Sequence, residues 1–485
     1  MVNVRRVPAS DRRWSLAAFV VAAGLAPALA GCILTADKLD PALDVPERYK
    51  EAPGKPHAAL PALEWWRSFR STELTDLVEQ AQVANLDIAA AVARIVQADA
   101  LSRVAGAPLL PTVNANASET RSRPSAVTGT NAIAVIDRTL YSASLSASYE
   151  IDFWGKNRAA LRAAEYSALG SRFDREVVAL TALVTVANTY FTVLGAQDRL
   201  RIANENVASA SRILSLIRDR FNAGTASALD LAQQETLVLV QRATIPPLIE
   251  QIRQNMAMLA LLAGRAPEHM SVRGGSLERL AFPRVTPGLP SELLTQRPDI
   301  REAEARLAGS DANVEAARAA FYPSIQLTGQ GGSQSAALHA LFGSGAFFYS
   351  IAVSATQPIF DGGRLLGQLD QQKGVRDELL QNYRKSVISA FTDVEKALVA
   401  VQQTTVQERL QRQAVDSSRR AFELAEERLR AGTVDLTTVL TTQQTLFQQQ
   451  DTLAQVRLAR FLAMVSLYQA LGGGWLPPRE ARATP

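Results

Sequence analysis

The sequence has 485 residues, and its 51 Lys and Arg against 47 Asp and Glu give a formal net charge of +4 at pH 7. The basic residues are dispersed and do not cluster with aromatic residues, which argues against nucleic-acid binding. A single cysteine excludes a disulfide framework, and the three histidines are too scattered to predict a metal site.

Residues 1–31 have the pattern of an export signal, with four arginines before an apolar run from Trp14 to Ala30. The run ends in a segment that resembles the lipobox of bacterial lipoproteins: Leu29, Ala30, Gly31 and Cys32. We therefore expect a covalent lipid on Cys32 and no other cofactor. A signal-anchor helix is the alternative, although about 17 apolar residues barely span a bilayer. Ile33 rather than Asp follows the cysteine, which favours sorting to the outer membrane.

The remaining sequence consists of two related halves. Gly224 lies in the motif Arg-Phe-Asn-Ala-Gly-Thr, which returns 208 residues later as Arg-Leu-Arg-Ala-Gly-Thr around Gly432. Pro111-Thr112-Val113 likewise returns as Pro323-Ser324-Ile325 after 212 residues. A long unit present twice indicates a duplicated fold. The predicted segments are an N-terminal segment at 32–84, a first repeat at 85–264, a linker at 265–296, a second repeat at 297–472 and a C-terminal tail at 473–485.

Each half contains two predicted strands, at about 111–122 and 139–152 in the first and about 323–333 and 347–358 in the second. Residues 139–152 alternate apolar side chains with serines. This alternation is typical of membrane strands with a wet lumen and with aromatic belts, for which the candidates are Tyr141, Tyr149 and Tyr349. A surface strand of a soluble sandwich is the alternative, although alanines and serines would fill its core poorly.

Four strands cannot close a barrel alone, because known single-chain barrels have at least about eight and open strand edges are not tolerated in lipid. After the signal, no uninterrupted apolar run reaches the roughly 18 residues of a membrane helix, which leaves a β-barrel as the way to span a membrane. We therefore expect several chains to share one barrel. Three chains would supply twelve strands.

Two helical hairpins complete the predicted fold, at 157–263 and 364–471. Their outgoing arms, 157–221 and 364–429, contain about 65 residues without proline and would each be about 100 Å long. One apolar seam with heptad spacing runs along each arm, and a second seam runs beside it along 157–221. One seam would make an ordinary coiled coil, whereas two predict packing on both sides, as in a cylinder of helices.

The hairpin tips have their own sequence signals. Gly224 and Gly432 are predicted to end the outgoing arms in the left-handed conformation. Ser227 and Asp435 are predicted to cap the return helices. Pro246-Pro247 predicts a kink in the first return helix only, so that the two hairpins are not equivalent.

The chain resembles the TolC-like outer-membrane efflux proteins, in particular their NodT-type lipoprotein branch. Nearly the whole sequence carries this resemblance, including Trp65–Phe69, and its most specific segments are Leu289–Ile300 and Phe321–Ser324. It implies a homotrimer with a twelve-stranded barrel in the outer membrane and a large periplasmic α-helical tunnel. The chain ends and residues 265–296 would form an equatorial belt around the tunnel.

The resemblance also implies a function. Such a trimer is the passive exit duct of a tripartite efflux system, together with a periplasmic adaptor and an inner-membrane pump, often of the resistance-nodulation-division type. The sequence contains no candidate catalytic residues, which agrees with a duct rather than an enzyme. A periplasmic coiled-coil adaptor lipoprotein without a barrel is the alternative. The transported substrate is open among drugs, metals, solvents and signal molecules.

In this family the gate lies at the periplasmic hairpin tips, where acidic residues commonly ring the closed iris. The positions six and nine residues after Gly432 often hold aspartate in this family. Here they are Thr438 and Thr441, so the charged ring is expected to be weak or absent. The candidate gate residues are Thr438, Thr441, Leu440, Asp230 and Asp435. For the two aspartates, compensation of charge at a helix N-terminus is an equally good interpretation.

Overall fold

The computed structural model describes residues 41–43, 45–50, 62–123, 137–285, 287–473 and 475. The export signal, the lipobox and the lipidation candidate Cys32 lie outside the described residues. The helices are α1 (Thr72–Ala84), α2 (Leu86–Gly106), α3 (Lys156–Asn222), α4 (Ala228–Ala243), α5 (Ile245–Leu262), α6 (Pro290–Gln296), α7 (Pro298–Ala319), α8 (Arg364–Arg430) and α9 (Leu436–Ala470). The strands are β1 (Thr112–Ser122), β2 (Arg138–Ile151), β3 (Ser324–Ser335) and β4 (Phe347–Thr356).

The described chain forms two compact units. The first includes Gln97–Ala168 and Ala305–Gln381 and contains all four strands. The second includes Ala42–Val96, Leu169–Glu304 and the chain from Asn382 onwards, and it contains both hairpin tips.

The four strands form one antiparallel sheet in the order β1-β2-β3-β4. Leu145 in β2 pairs with Ala115 in β1 and with Gly331 in β3, and Gly331 pairs in turn with Tyr349 in β4. Because side chains alternate along a strand, the odd-numbered residues of all four strands share one face and the even-numbered residues share the other. We call these the odd face and the even face. Both outer strands, β1 and β4, have only one neighbouring strand within the described chain.

The return arms of the two hairpins differ, as the sequence predicts. In the first hairpin the arm is interrupted at Thr244, which separates α4 from α5. Pro246 and Pro247 lie in the first turn of α5, where a missing amide hydrogen costs no helical hydrogen bond. Thr244 itself keeps a helical conformation, with φ of −76° and ψ of −17°, so the prolines interrupt the hydrogen bonding of the first return arm without ending its helical path. In the second hairpin, α9 runs through 35 residues without interruption.

The second unit has an aromatic core built around the motif Trp65–Phe69. Both ends of this short 3-10 helix, Trp65 and Phe69, are completely buried. The Trp65 ring stacks on Tyr468 with 5.1 Å between ring centroids, and the Phe69 ring lies 5.0 Å from that of Phe191. The motif that carries part of the family resemblance is thus a packing element, whose truncation would cost about 3–5 kcal/mol per ring.

α3 contributes to this core as well. It is the one helix of the described chain that is long and apolar enough, by length and composition, to cross a membrane. However, its residues Leu183, Val186 and Leu194 are buried in the core of the second unit, and a buried core helix meets the same criteria. Its apolar character is therefore accounted for by packing.

The two repeats use the same junction between a short helix and the end of a hairpin. After α1, the side-chain amide of Asn85 donates to the carbonyl oxygen of Leu262 over 2.9 Å. After α6, the guanidinium of Arg297 donates to the carbonyl oxygen of Ala470 over 3.0 Å. Donors and acceptors occupy equivalent positions of the two repeats, so an amide in one half and a guanidinium in the other satisfy the same helix C-terminus.

The backbone approaches closely at this junction in both halves. Gly264 and Gly472 adopt the left-handed conformation, with φ of 65° and 85°. A Cβ atom on Gly264 would collide with the carbonyl oxygen of Ala84, and one on Gly472 would collide with that of Gln296. Only glycine fits these two positions, which explains why this residue ends each hairpin.

Candidate functional site

The two hairpin tips have the same geometry. Gly224 and Gly432 have φ of 73° and 69°, the left-handed conformation predicted from the sequence. At each tip the amide of the following threonine donates to the carbonyl five residues earlier, over 2.8 Å at the first tip and 2.9 Å at the second. This 6→1 hydrogen bond is the one that closes a helix C-terminus before a reversal of the chain.

Asp230 and Asp435 cap the return helices. The Asp230 carboxylate accepts the amide of Ser227 over 2.9 Å, and the Ser227 hydroxyl accepts the amide of Asp230 over 3.1 Å, which is a capping box. Asp435 accepts the amide and the hydroxyl of Thr438 over 2.9 and 2.7 Å. These hydrogen bonds from Thr438 hold the pKa of Asp435 below its usual value. Both carboxylates therefore compensate a helix N-terminus within the chain.

The predicted threonines are exposed, but the predicted leucine is not. The Thr441 hydroxyl donates to the carbonyl oxygen of Thr437 over 2.9 Å and, like Thr438, lies on the surface of α9. Leu440 is only 8% exposed and packs in a hydrophobic cluster with Ile213 and Leu429. The prediction that Leu440 lines a constriction is therefore wrong, because its own chain covers its side chain.

The first four turns of α9 have an uncharged polar surface. No residue from Leu436 to Gln450 carries a charge. The exposed side chains of this segment are hydroxyls and amides: Thr437, Thr438, Thr441, Gln444, Thr445 and Gln448. Such a surface hydrogen-bonds to water without favouring ions of one sign.

Arg220 joins the two tips and was not predicted. Its guanidinium, on the last turn of α3, donates to the carbonyl oxygen of Leu429 on the last turn of α8 over 2.8 Å. Behind this contact a buried cluster takes side chains from all four helices of the two tips, α3, α4, α8 and α9. A cation near the end of a helix was the available signal, since its charge complements the C-terminal dipole.

The even face of the sheet is polar. Its hydrogen bonds run across the strands, from Asn116 to Ser146 over 3.1 Å and from Gln330 to Ser144 over 3.1 Å. Ser144 is buried, so the amide side chain of the neighbouring strand covers it. This face suits contact with water in a lumen.

The odd face is apolar over its central part. The exposed apolar side chains that share it include Val113, Leu145, Phe347, Tyr349, Ile351 and Val353. Between them lie alanines and glycines. An apolar face of exposed residues opposite a polar face is what a strand set between lipid and water requires.

The predicted tyrosine belts are only partly brought together. Tyr141, Tyr149 and Tyr349 all lie on the odd face. Tyr141 and Tyr149 lie near opposite ends of β2, but Tyr349 is in register with Leu145, midway between them. Strand register, which the sequence does not display, decides this placement.

A second aromatic group surrounds the sheet end that joins the helices, and sequence reasoning missed it. Phe153 and Trp154 follow β2, Tyr322 precedes β3 and Phe360 follows β4. The Trp154 ring stacks on that of Tyr322 with 4.8 Å between centroids, and its indole N–H donates to the carbonyl oxygen of Pro323 over 2.8 Å. Phe360 is 92% exposed. Aromatic residues directly beside each predicted strand were the available signal for a membrane interface.

Both repeats match the same protein-family model. The family model for the outer membrane efflux protein matches the chain twice, over residues 77–265 and 289–473. The chain belongs to the outer membrane efflux protein family. The double match corresponds to the internal duplication predicted from the repeated tip motif.

Relatives and solved structures agree with this assignment. The chain is similar to the pyoverdine export outer membrane protein OpmQ of Pseudomonas aeruginosa, with 40% identity over 94% of this chain and 96% of that protein. It is also 33% identical to the toluene efflux pump outer membrane protein TtgF of Pseudomonas putida, over 93% of this chain and 96% of that protein. The outer membrane channel MtrE of Neisseria gonorrhoeae has a similar fold, with a TM-score of 0.81 and 28% identity over 92% of this chain and 99% of that chain.

These findings confirm the predicted fold class, function and location. The protein has the fold of TolC-like channels, with long helical hairpins and four strands per chain. It is the outer-membrane component of an efflux system, located in the outer membrane with a large periplasmic helical part. The alternative of a barrel-less adaptor does not agree with relatives that are outer membrane channels.

Proposed function

We propose that three copies of this chain form one twelve-stranded barrel, which serves as the exit duct of a tripartite efflux system. The observation that carries this proposal is the two-faced sheet with two open edges. β1 and β4 each lack a second neighbour within the described chain. In lipid their unpaired backbone groups would cost several kcal/mol each, and pairing β4 of one copy with β1 of the next removes that cost.

The native mass of the mature protein tests this step. Protein extracted from outer membranes in detergent is expected to have the mass of three chains and to conduct ions in a planar bilayer. A folded single chain without conductance would contradict the proposal and favour a barrel-less lipoprotein. We also propose that Cys32 carries a lipid anchor. Mass analysis of the N-terminal peptide from the same preparation tests this.

A periplasmic adaptor and an inner-membrane pump are the proposed partners. The duct itself has no energy source, so a pump must drive transport and an adaptor must connect pump and duct. We propose a pump of the resistance-nodulation-division type. Crosslinking in cells that carry such a pump and adaptor is expected to recover both proteins with the duct, and a duct that works with neither would refute this partnership.

The substrate that the relatives favour is a pyoverdine-type siderophore. Two relatives named for pyoverdine export are 40% and 42% identical to this chain, whereas those named for toluene efflux are 32–33% identical. The test is complementation in a Pseudomonas putida strain that lacks OpmQ but keeps its pump. Restored pyoverdine in the medium supports the substrate, while restored solvent tolerance without pyoverdine export would refute it.

We place the constriction of the duct at Thr438 and Thr441. Both are exposed, and Asp435 is the acid closest to Thr438 in the sequence. The double variant Thr438→Asp/Thr441→Asp is expected to make the channel sensitive to block by a multivalent cation, whereas the wild-type channel is expected to be insensitive. Thr236→Asp, on the exposed surface of α4, is the matched control. Equal cation sensitivity in all three channels would place the constriction elsewhere.

A further inference from the structure

The odd face of the sheet contains a shallow apolar trough. Its volume is about 560 Å³, and the side chains that line it on this face include Ala117, Ala143, Leu145, Phe342 and Phe347. The alanines form the floor. Phe342 and Phe347 are 81% and 71% exposed and form a wall, so the trough is open along the surface that faces lipid. Its apolar lining suits a hydrocarbon chain.

Charged residues follow the trough on the same face. Arg121 and Arg123 both contact Asp137, with N–O distances of 3.0 and 3.7 Å. The arginine side chains are 71% and 70% exposed, and each guanidinium has five N–H donors, more than one shared carboxylate can accept. Glu119 lies between the arginines and the trough along β1. Two guanidinium groups beside two carboxylates can bind phosphates together with the divalent cations that bridge them.

The topology fixes on which side of the membrane this cluster lies. The helices join the sheet at the end marked by Thr112 and Ile151, and Arg121 lies near the opposite end of β1. Because the helical part is periplasmic, Arg121 and Arg123 belong to the external end of the odd face. Arg121 lies four positions after Ala117, about 13 Å along the strand. The phosphate ligands therefore lie on the external side of the floor of the trough.

We propose that this surface binds the phosphorylated, acylated glycolipid of the outer leaflet, a lipid of the lipid A class. Arg121 and Arg123 bind its phosphates, Glu119 ligates a bridging divalent cation, and one acyl chain occupies the trough beside Phe342. The chemistry requires both a phosphate and an acyl chain, and an outer-leaflet glycolipid supplies the two in one molecule. The inference concerns the lipid-facing surface and goes beyond the proposed duct.

The test measures binding of bisphosphorylated lipid A to the delipidated assembled protein by native mass spectrometry, with magnesium present. Arg121→Gln/Arg123→Gln is expected to weaken binding at least tenfold, and so is Ala143→Phe, which fills the trough. Arg138→Gln is the matched control, since Arg138 is exposed at the same end of the sheet but lies on the even face. It is expected to bind like the wild type.

Three results would overturn the proposal. The first is unchanged binding in the double arginine variant. The second is equal competition by the deacylated glucosamine disaccharide bisphosphate, which would indicate a phosphate site without a lipid. The third is equal binding of phosphatidylglycerol, which would indicate general attraction of anionic lipids. Conductance in bilayers without lipid A reports on the duct separately, and we expect the double arginine variant to leave it unchanged.

Discussion

Replacement of Asn85 by alanine tests the junction that both repeats share. Asn85 is 3% exposed and serves two helices at once. Its side-chain oxygen accepts the amides of Asp87 and Ile88, which begin α2, over 2.9 and 3.1 Å. Its side-chain nitrogen donates to the carbonyl oxygen of Leu262 at the end of α5 over 2.9 Å. Alanine removes both functions without changing the backbone.

The expected magnitude follows from these contacts. Loss of an N-cap costs about 1 kcal/mol, and a buried carbonyl without its donor costs about 1–3 kcal/mol. The sum is about 2–4 kcal/mol. Unfolding entropy is about 2.1 cal/mol/K per residue, which gives about 0.6 kcal/mol/K for a unit of about 300 residues. A loss of about 3 kcal/mol therefore lowers the melting midpoint by about 5 °C.

The assay is loss of helical circular dichroism on heating at a fixed scan rate, since an oligomeric membrane protein unfolds irreversibly. Asn85→Ser keeps a capping oxygen but loses the donor, and we expect a midpoint between those of the alanine variant and the wild type. Asn204→Ala is the control, because Asn204 is exposed and donates only to Leu200 of its own helix. An Asn85→Ala midpoint within about 1 °C of the wild type would refute the reasoning.

Three further predictions concern other parts of the second unit. Gly472→Ala is expected to prevent folding, because its Cβ would collide with a carbonyl oxygen. Gly432→Ala has open space around it and is expected to cost only about 1–2 kcal/mol for its left-handed conformation. The yield of trimer on native gels distinguishes the two variants. Burial raises the pKa of Tyr190 to about 12, from 10.0. Between pH 10 and 12 the folded state therefore keeps the Tyr190 proton and the unfolded state loses it, so the free energy of unfolding falls as pH rises through this range. Tyr190→Phe is expected to show a smaller fall in melting midpoint over the same range. Leu440→Ala is expected to destabilise by about 2–5 kcal/mol in the same melting assay, whereas Thr441→Ala on the exposed side of the helix is expected to change the midpoint by less than about 1 °C.

The periodicity and the internal repeat of the sequence predict most of the fold. The heptad seams of α3 and α8 and the alternation in β2 are local patterns, so they can be recognised in the sequence without knowledge of tertiary contacts. The glycine at each tip was equally legible, because a left-handed residue after a long helix has few alternatives. The interruption of the first return arm at Thr244 was predictable as well, because a Pro-Pro pair removes two amide donors from a helix.

The candidate site was less predictable because its residues act through partners distant in the sequence. Leu440 is adjacent to Thr441 in the sequence, yet one side chain is buried and the other exposed. Helix phase relative to the neighbouring hairpin decides this difference, and the apolar pattern alone did not fix that phase. Arg220 donates to a carbonyl 209 residues away, a contact that no short motif encodes. The resemblance predicts where the gate lies, whereas the roles of individual side chains depend on their contacts.

The contacts at the hairpin tips also limit which movements could open or close such a duct. Within one chain, Arg220 connects α3 to the end of α8, and a buried cluster that includes Ile213, Phe422 and Leu436 packs all four helices together. Separating the two hairpins of one chain would expose this cluster to water, at about 25 cal/mol for every Å² of apolar surface. Unwinding the tips would break the caps made by Asp230 and Asp435. Rigid movement of the paired hairpins of one chain against those of the next, in the proposed trimer, would keep both the buried cluster and the caps intact.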